Sequence, residues 1–290
     1  MSNRFEARKQ NILEQLETPE SEYQDLSPKG SIDVPIRDLI SEINALDGLV
    51  TTSSCSGRIS VFLEGRKASS DDAPTEESGE SRAGPGGKGG GGAWLFISHN
   101  PVEAPDANTL STFSSRFGLE AASLDESRTP EVSSRYVHLK FEPMILHILT
   151  ASTAHAQRIL TAALSAGFRE SGAVSLSATR TGESTPIVAV RSTGYSFDSI
   201  VGYHDESSRN ILLVDEKHLA TLIGIANDRF RINTERIARF QNALMHAFRP
   251  SDSGAGGSSK PDWEDAEVRR RRKREEGLAR QHALQNNGST

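Results

Sequence analysis

The sequence of 290 residues contains a single cysteine, Cys55. One cysteine cannot form a disulfide within the chain, and it excludes a zinc site built from several cysteines. No stretch approaches the roughly 18–20 consecutive apolar residues that a membrane-spanning helix needs. The N-terminal segment is polar and lacks the apolar region of a secretion signal. These absences predict a cytoplasmic protein that binds no metal and no membrane, although the basic run from Arg269 to Arg274 is also compatible with a nuclear address.

Apolar residues are also scarce, at 35% of the chain, and the formal net charge is -6. This charge excludes a wholly basic nucleic-acid coat protein but allows a local basic patch. Apolar residues are sparse because polar and glycine-rich segments interrupt the chain. We therefore expect one domain over 1–250 with loop insertions at 67–85 and 102–134, followed by a flexible charged tail over 251–290.

Hydrophobic periodicity predicts both helices and strands. The predicted helices cover 3–16, 34–45, 105–118 and 153–165, and one or two long helices cover 215–248. The predicted strands cover 49–52, 59–63, 93–98, 136–142, 173–176 and 186–191. This order predicts an α+β protein, a single domain with a mixed β-sheet packed by helices. No strand–GxGxxG–helix unit is present, which argues against a Rossmann nucleotide site.

The stretch TTSSCSGR, residues 51–58, lies between two predicted strands. Its hydroxyl groups, Gly57 and the guanidinium of Arg58 suit a pocket for a polar or anionic ligand. The same composition is typical of a polar hairpin turn. Cys55 is either a small packed side chain or a nucleophile assisted by His99, which with Ser98 ends the next strand.

Two further stretches allow two interpretations each. The glycines of 86–92 could wrap a ligand or form a flexible linker, and they do not match a P-loop because no Ser or Thr follows Lys88. The RST stretch that starts at Arg191 could bind an anion or cap a helix. The residues alone leave open a cysteine hydrolase that uses Cys55 and His99, and a non-catalytic RNA-binding module.

Several stretches, in order over about 3–248, together resemble the tRNA wybutosine-synthesising protein 3 family. They are DLSPKGSID, TTSSCSGRI, GGKGGGGAWLFISH, LKFEPMILHILTAS, AQRILTAALSAGFRESGA, VAVRSTG and ANDRFRINTERIARF. The resemblance implies an S-adenosylmethionine-dependent tRNA methyltransferase with a non-Rossmann α+β fold. It also implies the substrate: N4 of the tricyclic 4-demethylwyosine-type base next to the anticodon of tRNA-Phe.

The resemblance also implies site residues. The family pattern Ser-x-Ser-Ser-Cys-x-Gly-Arg is met here with Thr51 in the first position, and Lys88 replaces a family tryptophan. We expect His99 to be the general base, and Asp33 and Asp25 are alternatives. His99 is favoured because an Asp33 that caps a helix is less free to accept a proton. The expected cofactor- or substrate-binding residues are Lys29, Ser53, Ser54, Cys55, Gly57, Arg58, Gly89, Gly90, Gly91, Ser98, Arg191 and Ser192. Trp94 or Tyr195 is expected to stack on the base, and Lys140 is a further candidate for anion binding.

Overall fold

The computed structural model of the chain describes residues 4–16, 32–65, 92–105, 112–121, 130–175, 185–249 and Arg274. Met1–Arg249 and Pro250–Thr290 are separate units, and the following account concerns the first. Four predicted site residues lie outside the described residues: Lys29, Gly89, Gly90 and Gly91. The alternative base Asp25, the insertion expected at 67–85 and nearly all of the tail lie outside them as well.

Seven strands and five α-helices build the described part of this unit. The strands are β1 (Leu49–Leu63), β2 (Ala93–Ser98), β3 (Arg135–Thr150), β4 (Gly172–Ser175), β5 (Ile187–Val190), β6 (Phe197–His204) and β7 (Asn210–Leu212). The helices are α1 (Arg4–Leu16), α2 (Arg37–Ala45), α3 (Phe113–Arg116), α4 (Thr153–Ala166) and α5 (Glu216–Phe248). A 3-10 turn at Val34–Ile36 leads into α2.

The long strands β1 and β3 form the centre of one sheet. They pair antiparallel from Leu49 opposite Thr150 to Leu63 opposite Val137. The other edge of β3 pairs with β6 in its first half and with β5 in its second half. The other edge of β1 pairs with β2 only from Ile59 onward. The first half of β1 therefore has no strand on that edge within the described residues.

The predicted α+β class is confirmed. The named strands all pair antiparallel, and the mixed character of the sheet is limited, among the described residues, to one parallel bridge between Glu120 and Ile211. None of the helices in the described ranges is long and apolar enough to span a bilayer.

Helix α5 covers both halves of one sheet face. Its first half packs with α3 on β1, β3 and β6, and its second half packs with α2 and α4 on β1, β3 and β5. Helix α1 places Phe5 on a separate cluster with Val50 and Leu149. Within 102–134, which was expected to be a loop insertion, Phe113 and Phe117 are buried in the core under α5.

Strand β1 runs without a break through the TTSSCSGR stretch, so the expected turn between two short strands is wrong. The ladder to β3 continues through these residues, and Gly57 with φ +110° lies opposite Pro143. Asn233 of α5 completes the hydrogen bonding there: its Nδ2 donates to the Ser56 carbonyl (2.7 Å) and its Oδ1 accepts from the Met144 N–H (3.0 Å). A buried side chain thus supplies bonds that a glycine–proline pair weakens.

The other sequence predictions fare unequally. Helices α1, α4 and α5 lie where the periodicity predicts them, and α5 is one helix of 33 residues. The helix predicted over 105–118 is wrong in extent, because among the described residues of that range only Phe113–Arg116 is helical. The strand predicted to end at Pro143 continues to Thr150, since β1 and β5 both pair with its second half.

Candidate active site

A cluster of polar side chains lies where β2 ends beside β1. The last residue of β2, Ser98, pairs with Ile59, and His99 follows it along the edge of β1. Before Ile59, β1 has no partner strand on this edge within the described residues. A side chain takes that place, because the Ser56 N–H donates to Asp33 Oδ2 at 2.7 Å. The site is therefore made by the end of one strand and by the segment that leads into α2.

Asp33 occupies the N-cap position of the 3-10 turn Val34–Ile36, as predicted, but its side chain makes no capping hydrogen bond there. Its carboxylate points to β1 instead, and Oδ1 lies 3.7 Å from His99 Nε2. The side chain of Asp33 is 5% exposed and that of His99 is 13% exposed. Carboxylates are rarely buried without partners, and this one combines a backbone N–H with an imidazole. Asp33 and His99, the two predicted catalytic residues, are thus brought together.

Cys55 belongs to the same cluster. The ligand atoms of Asp33, Cys55 and His99 lie within 4.8 Å of one another, a spacing that a metal ion could use. Burial raises the pKa of the Cys55 thiol to about 11, and it outweighs the opposite effects of the Gly57 N–H and of Arg58. The thiol is therefore protonated near neutral pH, which argues against a nucleophile. The absence of a metal stays a prediction.

A cavity of about 180 Å³ opens beside the cluster. We call it the Asp33–His99 cleft. Its walls include Ser56, His99, Asn100, Phe230 and Thr234. The side-chain amide of Asn100 has no hydrogen-bond partner among the described residues, whereas its backbone is held by Ser98 Oγ (3.1 Å from Asn100 N). The volume is below the usual range for a complete small-molecule site, so the described walls enclose part of a ligand.

Other predicted residues of the motif have structural partners. Ser53 Oγ lies 2.8 Å from His147 Nδ1. Arg58 donates from Nε to Glu142 Oε2 at 2.8 Å and stacks over Trp94 at 5.2 Å. The cationic side chain of Arg58 is therefore paired with a carboxylate in the structure. Its predicted role as an anion ligand stays a prediction, as do the roles of Ser53 and Ser54.

The remaining predicted residues line other surfaces. Lys140 pairs with Asp198 at 2.7 Å. Arg191 donates from Nε to the Glu170 carbonyl at 3.2 Å, and Ser192 accepts from Arg236 Nη1 at 3.3 Å. Ser192 lines a second cavity that shares no wall residue with the Asp33–His99 cleft. The predicted residues therefore do not form one site, since His99 lines the Asp33–His99 cleft and Ser192 lines the second cavity.

Sequence reasoning missed Asn233, which is 2% exposed and bridges β1 and β3 beside the motif. A signal for it was present, because Asn233 lies three residues after Phe230 and four before Ile237 in the apolar stripe of α5. A polar residue in such a stripe is buried, and it needs hydrogen-bond partners.

Comparisons with known proteins find a matching family and similar sequences. Residues 7–246 match the model of the family described as Methyltransferase TYW3. The chain is 34% identical to tRNA wybutosine-synthesizing protein 3 of Saccharomyces cerevisiae, over 97% of this chain and 96% of that protein. It is also 34% identical to the protein of that name in Schizosaccharomyces pombe, over 83% of this chain and 86% of that protein.

The fold is also similar to a solved structure. A protein from Pyrococcus horikoshii superposes with a TM-score of 0.56 and 26% sequence identity. The match covers 83% of this chain and 95% of that one. The similarity therefore extends over nearly the whole of the archaeal chain.

Proposed function

Since the chain belongs to the Methyltransferase TYW3 family, we propose that it transfers a methyl group from S-adenosylmethionine to a tRNA base. The proposed target is N4 of the tricyclic 4-demethylwyosine-type base next to the anticodon of tRNA-Phe. The names of its fungal relatives support a role in wybutosine synthesis on tRNA. The observation that carries the proposal is His99, which lines a cleft and faces the buried carboxylate of Asp33.

The wall of the Asp33–His99 cleft has the composition of a cofactor site. Pro35, Phe230 and Ile237 provide apolar surface, and Asn100 provides an amide that no described residue engages. Small-molecule sites combine mostly apolar walls with a few placed polar groups. Asn100 and Thr234 would hold polar atoms of S-adenosylmethionine, which supplies an electrophilic methyl group when it is bound.

His99 and Asp33 have separate roles in the proposed reaction. The target nitrogen carries a proton that must leave, and the His99 imidazole accepts it. The Asp33 carboxylate, oriented by the Ser56 N–H, faces His99 Nε2 and stabilises the resulting imidazolium. A positioned base of this kind contributes about 10²–10⁴-fold to a rate. The burial of both side chains excludes water from the proton transfer.

The fold itself supplies the positioning. Ser98 Oγ donates to the Asn100 carbonyl at 2.7 Å and accepts from the Asn100 N–H at 3.1 Å, which fixes the turn that carries His99. Asn233, another wall residue of the cleft, fixes the Ser56 carbonyl. Holding reactants in line contributes about 7–11 kcal/mol in favourable cases, more than the base does.

The test replaces the proposed base and compares it with a matched histidine. His99→Gln should lower kcat about 10²–10⁴-fold on tRNA-Phe that carries the unmethylated tricyclic base. The affinity for S-adenosylmethionine, measured by calorimetry, should stay within about threefold because Gln keeps the size and polarity of the wall. His218→Gln, at an exposed position on α5, should leave both quantities unchanged. Dialysis against EDTA should also leave the rate unchanged.

Three results would contradict the proposal. An unchanged rate in His99→Gln would remove the base from the mechanism. Stoichiometric alkylation of Cys55 by iodoacetamide at neutral pH would favour a cysteine hydrolase. Tight tRNA binding without any affinity for S-adenosylmethionine would favour a non-catalytic RNA-binding module.

A further inference from the structure

A second cavity, of about 460 Å³, lies between the end of α4, the residues after β5 and the middle of α5. We call it the arginine pocket. Its charged and aromatic side chains are three guanidinium groups, one carboxylate and one ring, those of Arg169, Arg236, Arg239, Glu170 and Tyr195, and Ser192 is among its hydroxyl residues. The wall is therefore dominated by positive charge, although the whole chain carries a formal net charge of -6.

None of the three guanidinium groups forms an ion pair with a described carboxylate. Arg236 stacks over the Tyr195 ring at 4.2 Å. Arg239 donates from Nη2 to the Ala166 carbonyl at 3.4 Å, and Arg169 has no polar contact within the described residues. By contrast, Arg231 on the same helix pairs with both Asp228 and Glu235.

The carboxylate of Glu170 does not neutralise these arginines, because the loop after β5 engages it. Its Oε2 accepts from the Thr193 N–H at 3.2 Å. Burial acts to raise the pKa of Glu170, but hydrogen bonds from the Ser192 hydroxyl and from the Thr193 and Gly194 N–H groups lower that pKa overall. Glu170 is therefore ionised at neutral pH and holds the loop in place. Arg236 and Arg239 each use one N–H, on Ser192 Oγ and the Ala166 carbonyl respectively, and their other donors stay available for a ligand.

We propose that the arginine pocket binds a phosphate group of the tRNA backbone, an inference that rests on the proposed function because it takes RNA as the substrate. Guanidinium donors match phosphate oxygens, and charge-assisted hydrogen bonds of this kind are strong. The wall is mostly polar and charged, unlike the mainly apolar wall of a cofactor site. A phosphate bound here would contribute affinity and register without reading a base.

Helix α5 connects the arginine pocket to the Asp33–His99 cleft. Asn233, which fixes the carbonyl of Ser56 beside that cleft, precedes Arg236 by three residues. Three residues advance a helix by about 4.5 Å along its axis. A backbone phosphate in the arginine pocket and a base in the cleft would thus meet successive turns of one rigid element.

The test measures tRNA binding separately from methyl transfer, by fluorescence anisotropy of labelled tRNA-Phe in a salt series. Arg169→Ala and Arg239→Ala should each weaken binding about 3- to 10-fold at ~0.1 M salt. Each should also reduce the log–log salt slope by about 0.7–0.9 for the lost phosphate contact. Lys217→Ala, which removes one exposed charge near the start of α5, should match the wild type in both.

A second variant tests whether tRNA binding needs the planar guanidinium group or only its positive charge. Arg236→Lys keeps the charge and should still weaken tRNA binding, because an ammonium cannot replace a planar fork. Calorimetry should give an unchanged affinity for S-adenosylmethionine in all three arginine variants. Equal salt slopes in wild type and variants would overturn the phosphate site, and so would a loss of cofactor affinity with unchanged tRNA binding.

These results are distinct from a failure of the proposed function. If the wild type methylates tRNA and the arginine variants bind it normally, only the phosphate site is wrong. If the wild type does not methylate tRNA, but the arginine variants bind tRNA more weakly and with a smaller salt slope, the phosphate site is supported and the proposed methyl transfer is wrong.

Discussion

The Asp33–His99 cleft and the arginine pocket differ in every property that matters to a ligand. The first is small and is lined by the imidazole of His99, which faces the buried carboxylate of Asp33. The second is more than twice as large and is lined by guanidinium groups without acidic partners. Buried groups whose protonation can change suit a chemical step, and accessible permanent charges suit affinity.

This difference teaches that one helix can serve two kinds of site. Residues of α5 contact both, with Thr234 at the cleft and Arg239 at the arginine pocket. If the roles are separate, substitutions in the cleft should change kcat, and those in the arginine pocket should change the KM for tRNA. A substitution that changes the other parameter would break the comparison.

The largest effect is expected for Asp33→Asn. The new amide oxygen can still accept from the Ser56 N–H, but the negative charge beside His99 is lost. We expect kcat to fall about 100-fold or more, with tRNA affinity and its salt slope unchanged. Asp38→Asn on the exposed face of α2 is the matched control. A raised KM with a normal kcat would assign Asp33 to binding and remove the division between the sites.

Asn233→Ala tests the support that lies between the two sites. The substitution leaves the Ser56 carbonyl and the Met144 N–H buried without their side-chain partner. We expect the free energy of unfolding in urea to fall by about 2–4 kcal/mol. Asn242→Ala, at an exposed position of the same helix, should change it by less than about 0.5 kcal/mol. Equal stabilities would show that the ladder needs no bridge there.

Cys55 tests how strongly burial acts on the cluster of polar side chains beside the cleft. A thiol whose pKa is raised by burial to about 11 stabilises the fold fully below pH 9, and it loses this contribution as the pH rises through 11. Over that window we expect the wild type to lose about 1–2 kcal/mol more of unfolding free energy than Cys55→Ser, whose hydroxyl does not titrate. Urea unfolding of both proteins between pH 8 and 11 measures the difference.

Activity provides a second measurement on the same variant. Cys55→Ser should keep at least about a tenth of the methyl-transfer rate at neutral pH, since a protonated thiol takes no proton from the substrate. A folded variant that binds tRNA but transfers no methyl group would contradict a non-catalytic role of Cys55.

The smallest effect is expected for the pKa of His147, whose Nδ1 lies 2.8 Å from Ser53 Oγ. Burial lowers the pKa of His147, and the positive charge of Arg191 lowers it further. Arg191→Gln should therefore raise the pKa of His147 but leave it below its ordinary value, as measured by NMR titration of the imidazole. Arg209→Gln, in the turn between β6 and β7, should not change it. An unchanged pKa in Arg191→Gln would show that the arginine charge does not reach β1 and β3.

The sequence was sufficient for α1, α4 and α5, and it named His99 and Asp33 as alternative bases but not as a pair. Helical periodicity predicts α4 and α5 because the core lies on one side of each. The strand order and the continuity of β1 could not be predicted, since serine, glycine and threonine have weak or context-dependent strand preferences. Only the partner strand β3, which is distant in sequence, makes that stretch extended.

The sequence indicated only one part of the arginine pocket, because the RST stretch that could bind an anion supplies Ser192. The segment of α5 that supplies Arg236 and Arg239 also contains Arg231 and Glu235, with no pattern that separates paired from unpaired charges. Helical geometry pairs Arg231 with Glu235 and leaves the other two facing the end of α4. Which guanidinium groups lack a carboxylate is a property of the assembled fold.

The pairing of β1 with β3 has a consequence for how the chain is made. The two strands are joined by a long excursion: Leu63 and its partner Val137 are 74 residues apart, and Leu49 and Thr150 are 101 residues apart. At a synthesis rate of about 5–20 residues per second, β1 waits about 4–20 s for the strand that completes its ladder. During that interval Ile59, Val61 and Leu63 can pair with β2, but their β3 edge stays open, and long-range pairing of this kind also folds slowly. The central strand of the candidate active site is therefore exposed to association with other nascent chains while it waits.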